Sequence, residues 1–213
     1  LDHGRWEDSD ITLEDLEEGY RRVVAAKVNF EKVRVTGGEP LYHPQFLECM
    51  ELIQRTWNSL YPARTCVFTN NTLPLPPTKD WRYRVSQDKA TALQPSGISP
   101  ADLGLHGRCG TTKGCHRQTG CGRLFDAYGF SFCIFAGAIG RAIGVDPYYP
   151  TPVFRGEEEI CKHCPFSLGV KGAFKLFLAV KAGELKCPTK TYAEGLKKWK
   201  NGSAPQFAKF KER

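Results

Sequence analysis

Six of the nine cysteines crowd into one stretch of this chain: Cys109, Cys115, Cys121, Cys133, Cys161 and Cys164. Two residues between Cys161 and Cys164 let both thiolates reach one metal from a tight turn. Between Cys121 and Cys133 lie Gly129 and several aromatics, a pattern that predicts a β-hairpin bringing those two sulfurs together. Two such pairs make a four-thiolate site, with Cys109 and Cys115 as alternative ligands. Cysteine spacing alone hardly separates zinc from an iron–sulfur cluster, so both stay open. His106, His116 and His163 are further possible ligands, although a supporting or surface role suits them better. Cys49 and Cys66, which fall in a helical and a strand-like pattern, read as buried apolar residues.

The second group of candidates is "TGGEPL", Thr36 to Leu41, directly after a strand-like alternation at Val33-Arg34-Val35. Gly-Gly can simply turn a chain, and Pro40 can simply keep the next segment from pairing. The functional reading is that Gly37 and Gly38 let bare backbone approach a ligand. Glu39 and exposed carbonyls would then accept hydrogen bonds from a cationic ammonium group. Thr69-Asn70 and Ser86 end the next two strand-like runs, where Asn70 and Ser86 could reach the hydroxyls of a sugar.

These residues need elements to position them. Thr12 and Asp15 form a helix-start signature, followed by Leu16, Tyr20, Val23 and Val24 at helical spacing, with an end near Lys27. A strand is expected over 32–36, a helix carrying Phe46, Leu47, Met50, Ile53 and Trp57, and strands over 65–69 and 81–86. The proline-studded loop with Pro74, Pro76 and Pro77 separates the last two. Alternating helices and strands imply an α/β fold with a parallel sheet, whose ligands sit at the carboxyl ends of the strands. Gly37-Gly38-Glu39-Pro40, Thr69-Asn70 and Ser86 all fall at that end. Farther on, the glycine-spaced run 136–145 reads as a tightly packed helix.

The Thr36–Leu41 motif resembles that of the radical S-adenosylmethionine enzymes, whose second barrel strand typically ends in such a sequence. The resemblance implies a partial (βα) TIM-like barrel over 1–100. It implies that Gly37, Gly38, Glu39 and Pro40 hold the methionyl amino group of S-adenosylmethionine, and that Thr69, Asn70 and Ser86 stand beside its ribose and carboxylate. The cysteine-rich stretch, 101–170, is similar to the auxiliary-cluster extensions (SPASM or twitch domains) that follow the barrel in many of these enzymes. That implies an auxiliary [4Fe-4S] cluster on Cys121, Cys133, Cys161 and Cys164, with zinc as the alternative. The reaction implied is reductive cleavage of S-adenosylmethionine to a 5′-deoxyadenosyl radical. That radical then takes a hydrogen atom from a small-molecule or peptide substrate, with flavodoxin or ferredoxin as electron donor. No general acid or base can be named.

The sequence departs from that pattern in one respect. The C-x3-C-x2-C loop that holds the family's catalytic cluster occurs nowhere in it. The chain opens on Leu1 rather than Met, and the expectation is that the loop lies upstream of Leu1. The rival readings are a split enzyme, a degenerate homologue or a zinc-stabilised binding module acting through its basic tail.

Composition narrows the remaining classes. The 213 residues, 41% hydrophobic and 25% charged, suffice for a real core. No apolar run is long enough to span a bilayer and no secretory signal opens the chain, so a soluble cytoplasmic protein is expected. An odd cysteine count argues in the same direction, against a closed disulfide framework. The net charge of +7 is local: 171–213 holds 11 Lys and Arg against 3 Asp and Glu, whereas 1–170 holds 19 against 20. Lys197, Lys198 and Lys200 therefore read as the solvated face of a basic helical segment, 171–213. Trp199, Phe207 and Phe210 interleave too weakly to indicate RNA binding.

Overall fold

The computed structural model describes residues 10–57, 64–85, 97–106, 115, 122–155 and 158–213. The chain divides into two compact units, Leu1–Ala92 and Leu93–Arg213. The expected boundary near residue 100 thus falls slightly earlier, and the basic segment from 171 onward belongs to the second unit.

The first unit opens with helix α1, Leu13–Ala25. Thr12 Oγ1 accepts the Asp15 backbone N–H while the Asp15 carboxylate accepts that of Thr12, a reciprocal cap that satisfies two otherwise orphaned donors. Strands β1 (Arg34–Val35), β2 (Cys66–Thr69) and β3 (Arg82–Val85) form a parallel sheet in the order β1-β2-β3. Helix α2, Phe46–Arg55, lies between β1 and β2 in the chain and buries Phe46, Cys49, Met50, Leu52 and Ile53. Met50 and Val67 of β2 are fully buried. Trp57 ties the two helices, since its indole N–H donates to Leu16 O at 3.0 Å and its ring packs against Tyr20 and Phe30. No helix joins β2 to β3: the proline-bearing loop does, held where the Tyr83 hydroxyl donates to Pro76 O at 3.0 Å. The α/β class with a parallel sheet is as expected, and the described residues form three strands rather than a closed barrel.

The second unit is built on an antiparallel sheet, β4 (Leu124–Asp126), β5 (Gly129–Ser131) and β6 (Tyr148–Tyr149). Its β4–β5 hairpin turns at Ala127-Tyr128, where Asp126 Oδ1 accepts the Tyr128 N–H. Gly129 has φ +120°, and a Cβ there would meet Tyr149 O at 2.8 Å, so only glycine suits this corner. Helix α3, Ala136–Ile143, follows the hairpin, then α4 (Glu158–Lys162), α5 (Gly169–Lys181) and α6 (Lys190–Lys200). Gly195 of α6 sits directly on Ala142 of α3, leaving no room for a side chain. One core joins Phe132, Cys133, Ala136 and Ile139 to Ile160, Cys161, Cys164, Phe166, Ala173 and Phe177. Phe210, set aside above as part of a weak aromatic pattern, is fully buried against Phe125 and Phe130. Lys197, Lys198 and Lys200 are exposed, as expected. No helix among the described residues is long and apolar enough to cross a membrane.

Candidate functional site

Two groups of residues answer to the sequence expectations, one in each unit. In the first, β1 and β2 end side by side and deliver Gly37-Gly38-Glu39-Pro40 and Thr69-Asn70 to the same end of the sheet. Gly37 and Gly38 are exposed and neither has the positive φ that would demand glycine. A Cβ at either position would meet nothing within 4 Å. Neither backbone conformation nor packing requires glycine at these two positions.

Glu39 does more than the sequence suggests. Its carboxylate caps the short 3-10 turn Pro40–Tyr42 by accepting the Leu41 N–H at 3.3 Å, and accepts the Asn70 N–H at 2.6 Å. Thr69 is buried and its hydroxyl accepts the Asn71 N–H, while Asn70 Oδ1 accepts the Thr72 N–H. Those two oxygens fold the turn. Ser86 lies outside the described residues. Beside this end of the sheet lies an open groove of about 420 Å³ between Leu41, His43, Pro44 and Phe46 on one wall and Leu73, Pro74 and Pro76 on the other. His43 fixes its wall: Nδ1 accepts the Gln45 N–H, so Nε2 carries the proton and donates to Ile11 O at 2.9 Å.

In the second unit, Cys115, Cys133, Cys161 and Cys164 line one narrow cavity, whose remaining wall is Phe132, Ala136, Ile139 and Ile160. The hairpin and α3 supply Cys133, while α4 and the turn after it supply Cys161 and Cys164. Cys49, Cys66 and Cys161 are free thiols. The fourth thiol in the cavity is Cys115, which the sequence offers only as an alternative. Cys121 and Cys109, like His116, lie outside the described residues. Cys49 is buried in the first unit, and burial followed by the charge of Glu48 pushes its thiol up to about 11, which suits a packing role. Cys66 is only half buried, because it alternates with the inward-facing Val67 on β2.

A support layer around the Cys161–Cys164 turn is invisible in the sequence. Ser99 Oγ and His163 Nδ1 share a hydrogen bond at 2.9 Å, and the Tyr192 hydroxyl donates to His163 O at 2.9 Å. Ser99 is anchored in turn by its N–H to Thr189 Oγ1, and Asp102 accepts both the N–H and the hydroxyl of Thr191. Burial opposes the charge on Asp102, but those Thr191 hydrogen bonds outweigh it and hold its pKa below the usual value. Burial, then the negative charge of a Cys164 thiolate, push the Tyr192 phenol up. These partners are far apart in sequence, and Ser, Thr and Tyr carry no spacing signal.

Among the described residues, no three His, Cys, Asp or Glu side chains converge tightly enough to hold a single metal ion. Compared with protein-family models, curated proteins and solved structures, the chain matches none.

Proposed function

We propose that this chain forms the S-adenosylmethionine-binding and auxiliary-cluster parts of a radical S-adenosylmethionine enzyme acting on a small-molecule or peptide substrate. The observation that carries the reading is the cavity walled by Cys115, Cys133, Cys161 and Cys164 together with apolar side chains. Four thiols in an apolar wall are the donor set of a [4Fe-4S] cluster. The cavity is tight, about 10 Å³, room for roughly one water. A [4Fe-4S] cluster is larger than this cavity, so its binding requires the four cysteines to move apart. Thiolates around one tetrahedral zinc ion stand roughly 3.8 Å apart, given Zn–S near 2.3 Å. Several irons between the thiolates allow wider spacing.

In the first unit, Gly37 and Gly38 offer backbone groups to the methionyl end of S-adenosylmethionine. Glu39 fixes the position of Asn70 and supplies the carboxylate that would face the methionyl ammonium. The cluster that cleaves S-adenosylmethionine would supply the electron that yields the 5′-deoxyadenosyl radical, on a C-x3-C-x2-C segment that this sequence does not contain. Ser99, His163 and Tyr192 hold the cysteine turn. An odd number of cysteines, nine, suits a reducing, cytoplasmic compartment.

The test is anaerobic reconstitution of the full chain followed by iron, sulfide and zinc analysis. About four irons and four sulfides per chain are expected. Stoichiometric zinc with no sulfide would replace this reading with a zinc-stabilised binding module.

A further inference from the structure

Helix α5 has two apolar faces, and the fold uses one of them. Ala173 and Phe177 enter the core of the second unit. Val170, Phe174 and Leu178, spaced four apart, form a second apolar line about 12 Å long, exposed to 51%, 49% and 45%. At about 100° per residue, Lys171 and Lys175 fall on the side of this line away from the core, and Lys181 continues it one turn farther on. All three lysines are exposed, and α5 contains no acidic residue. The first acid beyond it, Glu184, is followed by a fourth exposed lysine, Lys186.

This distribution selects a partner. The helix is too short to span a bilayer, and its lysines would be stranded in hydrocarbon. Lying in the plane of a lipid surface is different. There Val170, Phe174 and Leu178 sink below the headgroups, while the lysine stems run alongside them and leave their ammonium groups among the phosphates. Acyl chains fit around a convex helix ridge without a matching pocket. A second copy of this chain would set lysine against lysine. We infer that α5 docks the second unit onto the surface of a bilayer containing anionic phospholipids. The docking requires neither the cysteine cavity nor S-adenosylmethionine.

The test is flotation of the full chain with vesicles of phosphatidylglycerol and phosphatidylcholine, or of phosphatidylcholine alone. Binding to the anionic vesicles that weakens as salt is raised is expected, with roughly tenfold less or lower on phosphatidylcholine. Lys171→Gln/Lys175→Gln should weaken it roughly 25-fold, about fivefold per lysine. Phe174→Gln and Leu178→Gln should each weaken it roughly tenfold or more. Lys197→Gln/Lys198→Gln, an exposed pair on α6, should leave it nearly unchanged. Phe174→Trp should add a blue-shifted emission on anionic vesicles that the parent chain lacks. Unchanged melting temperatures establish that the variants are folded. No binding at low salt, equal binding to both vesicle types, or binding unmoved by the α5 variants overturns the docking site. So does a loss that follows the α6 pair instead, or self-association without lipid that the α5 variants abolish.

Discussion

The Glu39 carboxylate accepts the backbone N–H of Asn70 at 2.6 Å, so the loop after β1 and the loop after β2 share one hydrogen-bond acceptor. Removing it has two separable consequences. Glu39→Ala leaves the Asn70 N–H without its carboxylate partner, at a cost of about 1–3 kcal/mol, and should speed amide exchange at Asn70. Glu39→Gln retains an acceptor oxygen without the charge. It should keep Asn70 protected yet lose S-adenosylmethionine affinity in calorimetric titration. Equal affinity in both variants and the parent chain would confine Glu39 to holding the loops.

Gly38 gives the converse case. A Cβ at this position would meet nothing within 4 Å, so Gly38→Val should leave the melting temperature within experimental scatter. If a ligand is what approaches this backbone, the same variant loses S-adenosylmethionine binding. A stable Gly38→Val protein that binds as before would return the motif to a plain turn.

The cysteines make a graded prediction. Cys161→Ala and Cys164→Ala should each lose the reconstituted cluster, seen as loss of iron and of broad visible absorption. Cys115→Ala should do the same, because Cys115 lines the cavity, whereas Cys49→Ala should retain full iron. Since the cavity is narrow, cluster binding should also slow amide exchange across Phe132–Ala136 and Ile160–Phe166. Full iron in the Cys161→Ala/Cys164→Ala double variant would sink the ligand assignment.

Comparing residues shows what was legible in the sequence. The Thr12–Asp15 cap, the apolar stripe of α2 and the glycine-cornered hairpin before Cys133 are local patterns, written within a few residues, and they appear as expected. The parallel pairing of β1 and β2 followed from the helix between them, whereas β3 pairs in parallel across a proline-bearing loop without a helix. What stayed hidden depends on long-range contact. The Ser99–His163 bond spans 64 residues and the Asp102–Thr191 bonds span 89, and neither pair has a periodicity to betray it. The same holds for the burial of Phe210, whose neighbours Lys209 and Lys211 disguise it as part of a solvated basic tail.

Two carboxylates should report on pH with opposite signs. Burial raises the pKa of Asp126 above its ordinary value, against hydrogen bonds from the Tyr128 N–H and the Tyr148 hydroxyl. A folded pKa above the unfolded one contributes stability that is present at low pH and lost as pH rises through the folded value. Asp102, held low by Thr191, contributes stability that is present above the ordinary carboxylate range and lost as pH falls. In thermal melts from pH 3 upward, the parent chain should therefore gain on Asp126→Asn as pH falls and lose its advantage over Asp102→Asn. Parallel pH profiles for all three proteins would contradict both assignments.

The last prediction concerns the end of the second unit. Phe210 is fully buried, its ring edge-on to Phe125 at 4.9 Å and to Phe130 at 5.7 Å, and its N–H donates to Ala127 O at the hairpin turn. Three residues on, the Arg213 guanidinium donates to Tyr128 O, Tyr148 O and the Asp146 carboxylate, clamping the same sheet. Phe210→Ala removes a large ring from a packed site and should cost about 3–5 kcal/mol. Arg213→Ala removes partly exposed hydrogen bonds and should cost about 1–3 kcal/mol. Because β5 leads directly into Cys133, loss of Phe210 should also reduce cluster retention, while S-adenosylmethionine affinity in the first unit stays unchanged. Denaturant melts together with iron analysis of the two variants check this. A Phe210→Ala protein as stable as the parent would show that the ring fills no part of the core.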